Sequence, residues 1–404
     1  MLSLTSEEKA WLAGAAGPAL QRAMEIVVAL GQIYGAQRLV EVSSVQISGV
    51  SYRNIGAAGL RFVQRWADEG ARVRVPTTLN PAAMDLEAWA ELGFAPTFAA
   101  QQQAVIAAFA RMGVNGGHPV PTCTPYLVGN LPSPGEHVAW AESSAVSYAN
   151  SVLGARTNRE GGPGAIAAAL TGRTAAYGLH LDEQRRASLL VKVRAAPREV
   201  ADYSALGALV GKVAGPRVVA LTGLALTRGE PLWEEKLKAL GAAMAATGAV
   251  ALYHVAGVTP EALETLPLTA TPERLTVDDW QAGYATLSDT EAPPDLVWIG
   301  CPHASLAEIA QVAAWLEGRT LRCPLWMTCA RPVLEAARAA GYEATIRAAG
   351  GRLLGDACVA IAPVRDLGFK VVATSSAKGA YYLRNLARVA VRFAPLEACL
   401  RLAL

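Results

Sequence analysis

Residues 295–329 read DLVWIGCPHASLAEIAQVAAWLEGRTLRCPLWMTC. Two short apolar runs, DLVWIG (295–300) and PLWMT (324–328), flank a stretch (304–317) whose apolar residues recur at helical spacing. Unbroken apolar runs of this length suit strands covered on both faces, and the segment between them suits an amphipathic helix. Strand, helix, strand is the repeating unit of a parallel sheet. The alternation continues on both sides, through PRVVALTG (216–223), AVALYHV (249–255), LLGDACVAI (353–361) and KVVATS (370–375), with further helices at 231–247 and 331–341. An α/β protein follows, its C-terminal half a mostly parallel doubly wound sheet. A boundary is expected near Gly207–Gly215, dividing an N-terminal α/β region (1–210) from a C-terminal parallel region (211–404).

Earlier in the chain the pattern predicts a helix over 6–34, a strand over 38–48 and the turn Gly49-Val50-Ser51-Tyr52. A helix over 60–70 and a strand over 73–81 follow, the strand ending in the Asn80-Pro81 loop. EAWAELG and PTFAAQQQAVIAAFARMG read as two helices up to Met112. Trp140–Leu153 and Gly164–Leu170 also read as helical.

In parallel sheets ligands bind beyond the carboxyl ends of the strands, near helix N-termini. Cys301 follows DLVWIG, Cys329 ends PLWMT, and Ser375, Ser376 and Lys378 lie at or just past KVVAT. Cys358 lies inside or beside an extended segment that could reach the same edge. Cys323 and Cys399 read as small core residues.

Hydrophobic residues make up 52% of the 404 positions and charged ones only 17%. Such a chain buries large cores and is not disordered. Its 36 basic and 34 acidic residues show no basic run, which argues against a nucleic-acid partner. No apolar stretch reaches the roughly 18 to 20 residues of a membrane span. The start, MLSLTSEEKAWLAG, reads as a helix capped at Thr5 or Ser6 rather than a signal peptide. A soluble, cytoplasmic protein is expected. Six scattered cysteines without a CxxC pair argue against a disulfide framework or a structural zinc site.

Against this apolar background one run is dense in polar groups: CTPYLVGNLPSPGEHVAWAESSAVSYANSVLGARTNREGGP, Cys123 to Pro163. It reads as the floor of an active site. Cys123, Cys301 and Cys358 are its candidate thiols. From spacing alone they are ordinary buried thiols. The functional alternative is three thiolates on an iron–sulfur cluster, with one iron open to bind substrate oxygen as a Lewis acid. Gly161-Gly162-Pro163-Gly164 before a helix resembles an anion cradle, but reads first as a plain helix-entry turn. Ser375-Ser376-Ala377-Lys378 offers two hydroxyls, free amides and an ammonium to an anion. Thr77-Thr78-Leu79-Asn80-Pro81 ends a strand with polar groups, or is an ordinary capped loop. His137 and Glu142-Ser143-Ser144 permit a hydrolase, but no GxSxG elbow is present. No GxGxxG follows a strand, against a nucleotide-dependent oxidoreductase. His180 reads as structural, and Arg156 and Arg159 as supporting residues.

The Cys123–Pro163 run resembles the most characteristic block of the aconitase X family. So do GVSYRNIG (49–56), TTLNPAAMD (77–85), TGRTAAYGLHLDEQRR (171–186), IGCPHAS (299–305), GDAC (355–358) and SSAKGAYY (375–382). The resemblance spans nearly the whole chain and implies an aconitase-like multi-domain hydro-lyase. It implies an iron centre on Cys123, Cys301 and Cys358: a four-iron cluster first, a two-iron cluster or mononuclear iron as alternatives. It places substrate contacts on Gly49, Val50, Ser51, Asn80, Pro81, Glu142, Ser143 and Lys378, with Ser375 and Ser376 beside the lysine. Lys378 and Ser143 are the candidate catalytic contacts, Lys378 neutralising an anionic group of a small anionic substrate. The family's two activities are dehydration of (R)-5-phosphomevalonate and of cis-3-hydroxy-L-proline; the quoted blocks resemble the first type more closely. A non-catalytic iron or redox sensor is the remaining alternative. The resemblance further implies a separate small swivelling-domain subunit, and so a heterodimer, because no room for that domain remains before Leu404. Gln46, where the family usually carries His, and Cys329, where Ser is common, depart from the pattern.

Overall fold

A computed structural model describes residues 2–404. Fourteen strands form four small sheets, three of them wholly parallel. The N-terminal region carries β1 (Leu39–Glu41), β2 (Val45–Ile47), β3 (Thr77–Leu79), β4 (Ala139–Trp140) and β5 (Arg173–Ala175). β1 and β5 pair antiparallel, and β3-β2-β4 form a parallel sheet with β2 in the centre. The helices Pro18–Ile33, Tyr52–Asp68, Pro96–Arg111 and Gly162–Thr171 close over these strands in one apolar core.

The middle region holds β6 (Ala187–Val193), β7 (Val219–Thr222), β8 (Tyr253–Val255) and β9 (Leu268–Val277), in the order β8-β7-β6-β9. The last region holds β10 (Leu296–Ile299), β11 (Leu325–Cys329), β12 (Gly351–Gly355), β13 (Val371–Thr374) and β14 (Ala390–Phe393), in the order β12-β11-β10-β13-β14. All its pairs are parallel. The chain enters this sheet at its central strand, runs outward one way, then returns to run outward the other way. That is the doubly wound order expected from residues 295–329, and its reversal lies between β10 and β13.

Several boundaries differ from the sequence reading. A division at 210/211 falls inside the helix Val200–Ala214 and would separate β6 from its neighbour β7. The six strands expected in one sheet are shared between two. β6, β9 and β14 escape the reading because they are flanked by charge: β9 is an edge strand with exposed Glu273 and carries Pro272. The helix expected over 6–34 is two, Ser6–Leu12 and Pro18–Ile33, parted at Gly17 with φ +91°. The strand expected over 38–48 is β1 and β2, which join different sheets. EAWAELG is a set of turns rather than a helix. Thr5 caps the first helix, its hydroxyl taking the Glu8 amide while Glu8 takes the Thr5 amide. Among the described residues no helix is long and apolar enough to cross a membrane.

Two helices, Val200–Ala214 and Trp233–Gly248, cross at the middle of the molecule with almost no side chain between them. A Cβ on Gly207 would collide with the Leu240 carbonyl, and one on Gly248 with the Gly211 carbonyl. This pair carries the functional face. The Ser204 hydroxyl receives the Ala377 amide at 2.8 Å, and Gly241 abuts Tyr253 and Ser147. Close backbone approach of this kind admits no methyl without moving a helix. Gly207→Ala is expected to lower unfolding stability by roughly 1–3 kcal/mol, read as a shift in the urea midpoint, whereas an alanine at exposed Gly161, where φ is −77° and a Cβ would meet nothing within 4 Å, should not.

Candidate active site

A cavity of about 490 Å³ opens where the five-stranded sheet reverses. Cys123, Cys301 and Cys358 line it together, with Asn80, Pro81, Glu142, Ser143 and Lys378. All but Cys123 arrive just beyond the carboxyl end of a strand, where a chain leaving a parallel sheet turns. Asn80-Pro81 follow β3 and Glu142-Ser143 follow β4. Cys301 follows β10, Cys358 follows β12 and Lys378 follows β13. Gly300 makes the first of the cysteine turns with φ +93°, and a Cβ there would strike the Thr328 carbonyl, so only glycine fits. Cys123 sits in the loop bridged to β3 through Leu79 and Pro121.

His303 ties the three cysteine loops together. It lies two residues past Cys301, and its backbone N–H points at Cys123 Sγ at 3.1 Å. Its ring Nε2 lies 2.7 Å from the Ala357 carbonyl, next to Cys358, and its Nδ1 lies 3.0 Å from Thr122 Oγ1, next to Cys123. A carbonyl only accepts, so Nε2 carries the hydrogen and Nδ1 accepts from the threonine hydroxyl. Burial pushes the imidazole down to about 4 despite the carbonyl contact, so it stays neutral and this tautomer is kept. The Cys358 loop is held a second time. Asp85 accepts from the Gly355 amide at 2.7 Å and from Arg331 at 2.8 Å, and the Ala82 carbonyl accepts from the Cys358 amide at 3.0 Å.

Facing the thiols is one buried ion pair, Lys378 Nζ to Glu142 Oε1 at 2.5 Å. Ser144 Oγ lies 2.8 Å from Lys378 Nζ and 2.5 Å from Glu142 Oε2, and the Ala145 amide donates to that same oxygen at 2.8 Å. Burial alone would raise the Glu142 carboxyl. The Lys378 ammonium and these hydrogen bonds outweigh it, and the net shift is downward. Burial would likewise lower the lysine, but Glu142 and the neighbouring thiols push it well up. The lysine charge is therefore matched inside the protein rather than held free for a substrate anion. Burial pushes the Cys123 thiol up to about 12 and raises Cys301 and Cys358 as well, in each case against the pull of Lys378.

Other expected contacts fall elsewhere. Gly49, Val50 and Ser51 lie behind the wall, where the Val50 carbonyl accepts from Gln102; Ser48 reaches the cavity in their place. Ser376 caps its helix at the Gly379 amide and its hydroxyl serves the Cys301 sulfur, without lining the cavity. Ser375 lines a separate cleft with Arg198 and Lys236. Cys329 is fully buried in the core beside the Leu354 carbonyl. Gln46 donates to the Thr122 carbonyl at 2.8 Å and faces the Glu142 amide at 3.4 Å, so it braces two loops from behind. Much of the polar density of 123–163 is likewise framework. Asn150 joins Thr157, Ala251 and Arg185, and Arg156 pairs with Asp182. His137 meets His180 at 2.9 Å between their Nδ1 atoms, outside the cavity. Conversely, Ser48, Asn54, Glu160, His303 and Tyr382 line the cavity without having been singled out, and Arg159, read as a supporting residue, lines it as well. Each lies within a few residues of a quoted motif, but nothing in the spacing marks which of those neighbours turns inward.

Family models described as aconitase X first, second and third domain match residues 1–183, 187–284 and 294–404. The chain belongs to the aconitase X family. It superposes on the aconitase X of Thermococcus kodakaraensis, solved in its holo-form, with a TM-score of 0.91 at 44% identity and full coverage of both chains. It is 50% identical to the phosphomevalonate dehydratase large subunit of Methanothermobacter thermautotrophicus over 92% of each chain. It is 39% identical to the cis-3-hydroxy-L-proline dehydratase of Pseudomonas aeruginosa, over 99% of this chain but 70% of that one.

Two measurements check the family site in this chain. Lys378→Met strands Glu142 as a buried, unpaired charge and should lower stability by roughly 3–5 kcal/mol. The pair's contribution is constant between about pH 5 and pH 10. It fades in acid as pH falls through the lowered Glu142 pKa, and in alkali only as pH rises through the raised Lys378 pKa. Denaturation across pH should show the wild-type advantage narrowing only outside that window. His303→Leu leaves the Ala357 carbonyl without its donor, at roughly 1–3 kcal/mol, and takes one contact from the Thr122 hydroxyl, which keeps those to Thr124. Hydrogen exchange should then quicken at the Cys358 amide while the strand amides of β13 stay protected.

Proposed function

We propose that this chain is the large subunit of a phosphomevalonate dehydratase, a hydro-lyase that removes water from (R)-5-phosphomevalonate to give the anhydro product. The observation that carries this is the meeting of three thiols, one buried and two half-buried, and one buried ion pair in a single cavity, in a chain whose relatives of matching length bear that name. Relatives named phosphomevalonate dehydratase large subunit reach 43–50% identity with nearly full mutual coverage in four organisms. The hydroxyproline dehydratases stand at 35–39% and are longer, with the chain spanning 68–70% of them. The words "large subunit" point to a small partner subunit. The extra length of the hydroxyproline enzymes fits the idea that the same part is fused there.

The residues present fit an iron–sulfur cluster. Three thiols raised by burial ionise only if a cation joins them, and metal binding is what deprotonates such ligands. A cluster distributes its thiolates over separate irons, which suits thiols brought in on three separate loops. Cys123, Cys301 and Cys358 would hold it. It would supply a Lewis acid for the departing hydroxide. The protein's part is to position and to balance charge. Asn80 presents a buried Oδ1 with no partner, an acceptor suited to a substrate hydroxyl. Ser143 Oγ lies 3.3 Å from Glu142 Oε1 and can hand a proton to that carboxylate. Lys378 keeps Glu142 ionised and hence an acceptor. In the net reaction one C–H proton and one hydroxide leave together as water.

The test is anaerobic purification with the small subunit, followed by iron and sulfide analysis and assays on both candidate substrates. Brown protein that dehydrates phosphomevalonate is expected, and Cys301→Ser should abolish both colour and turnover. A chain that stays iron-free after reconstitution, or prefers cis-3-hydroxy-L-proline, overturns the proposal.

A further inference from the structure

Four charged groups other than the thiols line the cavity: Glu142, Lys378, Arg159 and Glu160. Two of them are matched to each other, Lys378 with Glu142 at 2.5 Å. Glu160 is buried, accepts from Thr174 Oγ1 at 2.9 Å, and has its carboxyl raised by burial. Arg159 is exposed and has no ion pair or side-chain hydrogen bond among the described residues. One unmatched positive charge remains on the cavity wall, and it is not the lysine.

The surroundings of Arg159 suit an oxyanion. Gly161 lines the same wall, and a Cβ placed on it would meet nothing within 4 Å, so the backbone there faces open space. Ser48 and Asn54 also line the cavity and make no side-chain hydrogen bond among the described residues. Guanidinium is the side chain whose forked donors match a phosphate or carboxylate two bonds at a time. Of the two carboxylates in the lining, Glu142 is paired with Lys378 and Glu160 is turned to the Thr174 hydroxyl.

Resting on the proposed substrate class, we infer that Arg159, with Ser48 and Asn54, binds the terminal phosphate of the substrate and sets the enzyme's preference for a phosphorylated acid over an amino acid. Lys378 then serves Glu142 and the thiol face, and the two ends of the cavity divide the work: one holds the reacting carbons, the other reads the phosphate.

Calorimetric titration of the reconstituted enzyme with (R)-5-phosphomevalonate and with unphosphorylated (R)-mevalonate tests this directly. The wild type should bind the phosphorylated compound far more tightly. Arg159→Gln should cut that preference roughly 10- to 100-fold, the range of a charge-assisted contact, and Arg159→Lys should restore part of it. Inorganic phosphate should compete with the substrate in the wild type and not in Arg159→Gln. Because Arg159 supports no other residue, an unchanged melting temperature is expected of both variants. Retention of the full preference in Arg159→Gln overturns the assignment alone, and dehydration of phosphomevalonate by the wild type would still stand. A wild type with no preference for the phosphorylated compound overturns both the assignment and the substrate reading.

Discussion

The site depends on one neutral imidazole. Three cysteines drawn from positions 123, 301 and 358 come from two different sheets, and nothing in the strands alone fixes their loops relative to one another. His303 does so with three contacts: its amide to the Cys123 sulfur, its Nδ1 to Thr122 and its Nε2 to the Ala357 carbonyl. The arrangement works in a single tautomer, because the carbonyl demands a donor and the threonine must then donate in return. A second proton would put a donor on Nδ1 and add charge to a buried site beside Lys378. Burial opposes that change, which is why the ring holds its role at ordinary pH.

A second constraint is the close-packed helix pair Val200–Ala214 and Trp233–Gly248. Its small residues let the middle region lie directly against the two helices that bring Glu142 and Lys378. Two buried charges from segments 236 residues apart can meet at 2.5 Å only if their helices are held without play. The buried salt bridge contributes less as a source of stability than as a fixed pattern of charge. It presents a carboxylate kept ionised beside thiols that need a cation.

The parallel sheet was legible because residues 295–329 carry it in an unbroken strand–helix–strand pattern, and the sheet-edge rule then placed Cys301 and Lys378 on one rim. Long apolar strands announce themselves in this way. Only half of the middle sheet did: β7 and β8 lie in the quoted apolar runs, whereas β6 and β9 mix charge with apolar residues. The three thiols and Asn80, Pro81, Glu142, Ser143 and Lys378 do converge. The direction of individual side chains was not legible: Ser375 and Ser376 are neighbours on one turn, yet one faces a separate cleft and the other a cysteine. Polar density also misled. Asn150, Thr157 and Arg156 are polar because a buried, irregular backbone needs partners, not because they meet a ligand.

Gln46 shows how a departure from a family pattern can be read physically. Where the resemblance leads one to expect histidine, the amide joins the Thr122 carbonyl on one side and the Glu142 amide on the other. One group must accept while the other donates, and a primary amide offers both at once and at every pH. A histidine could bridge the same two groups only as a neutral ring in one tautomer. The bridge lies behind the cavity wall and is fully buried, so no proton passes through it to a substrate. Position 46 is thus a brace between the Cys123 loop and the Glu142 helix, and its replacement leaves the acid–base chemistry to groups that line the cavity itself.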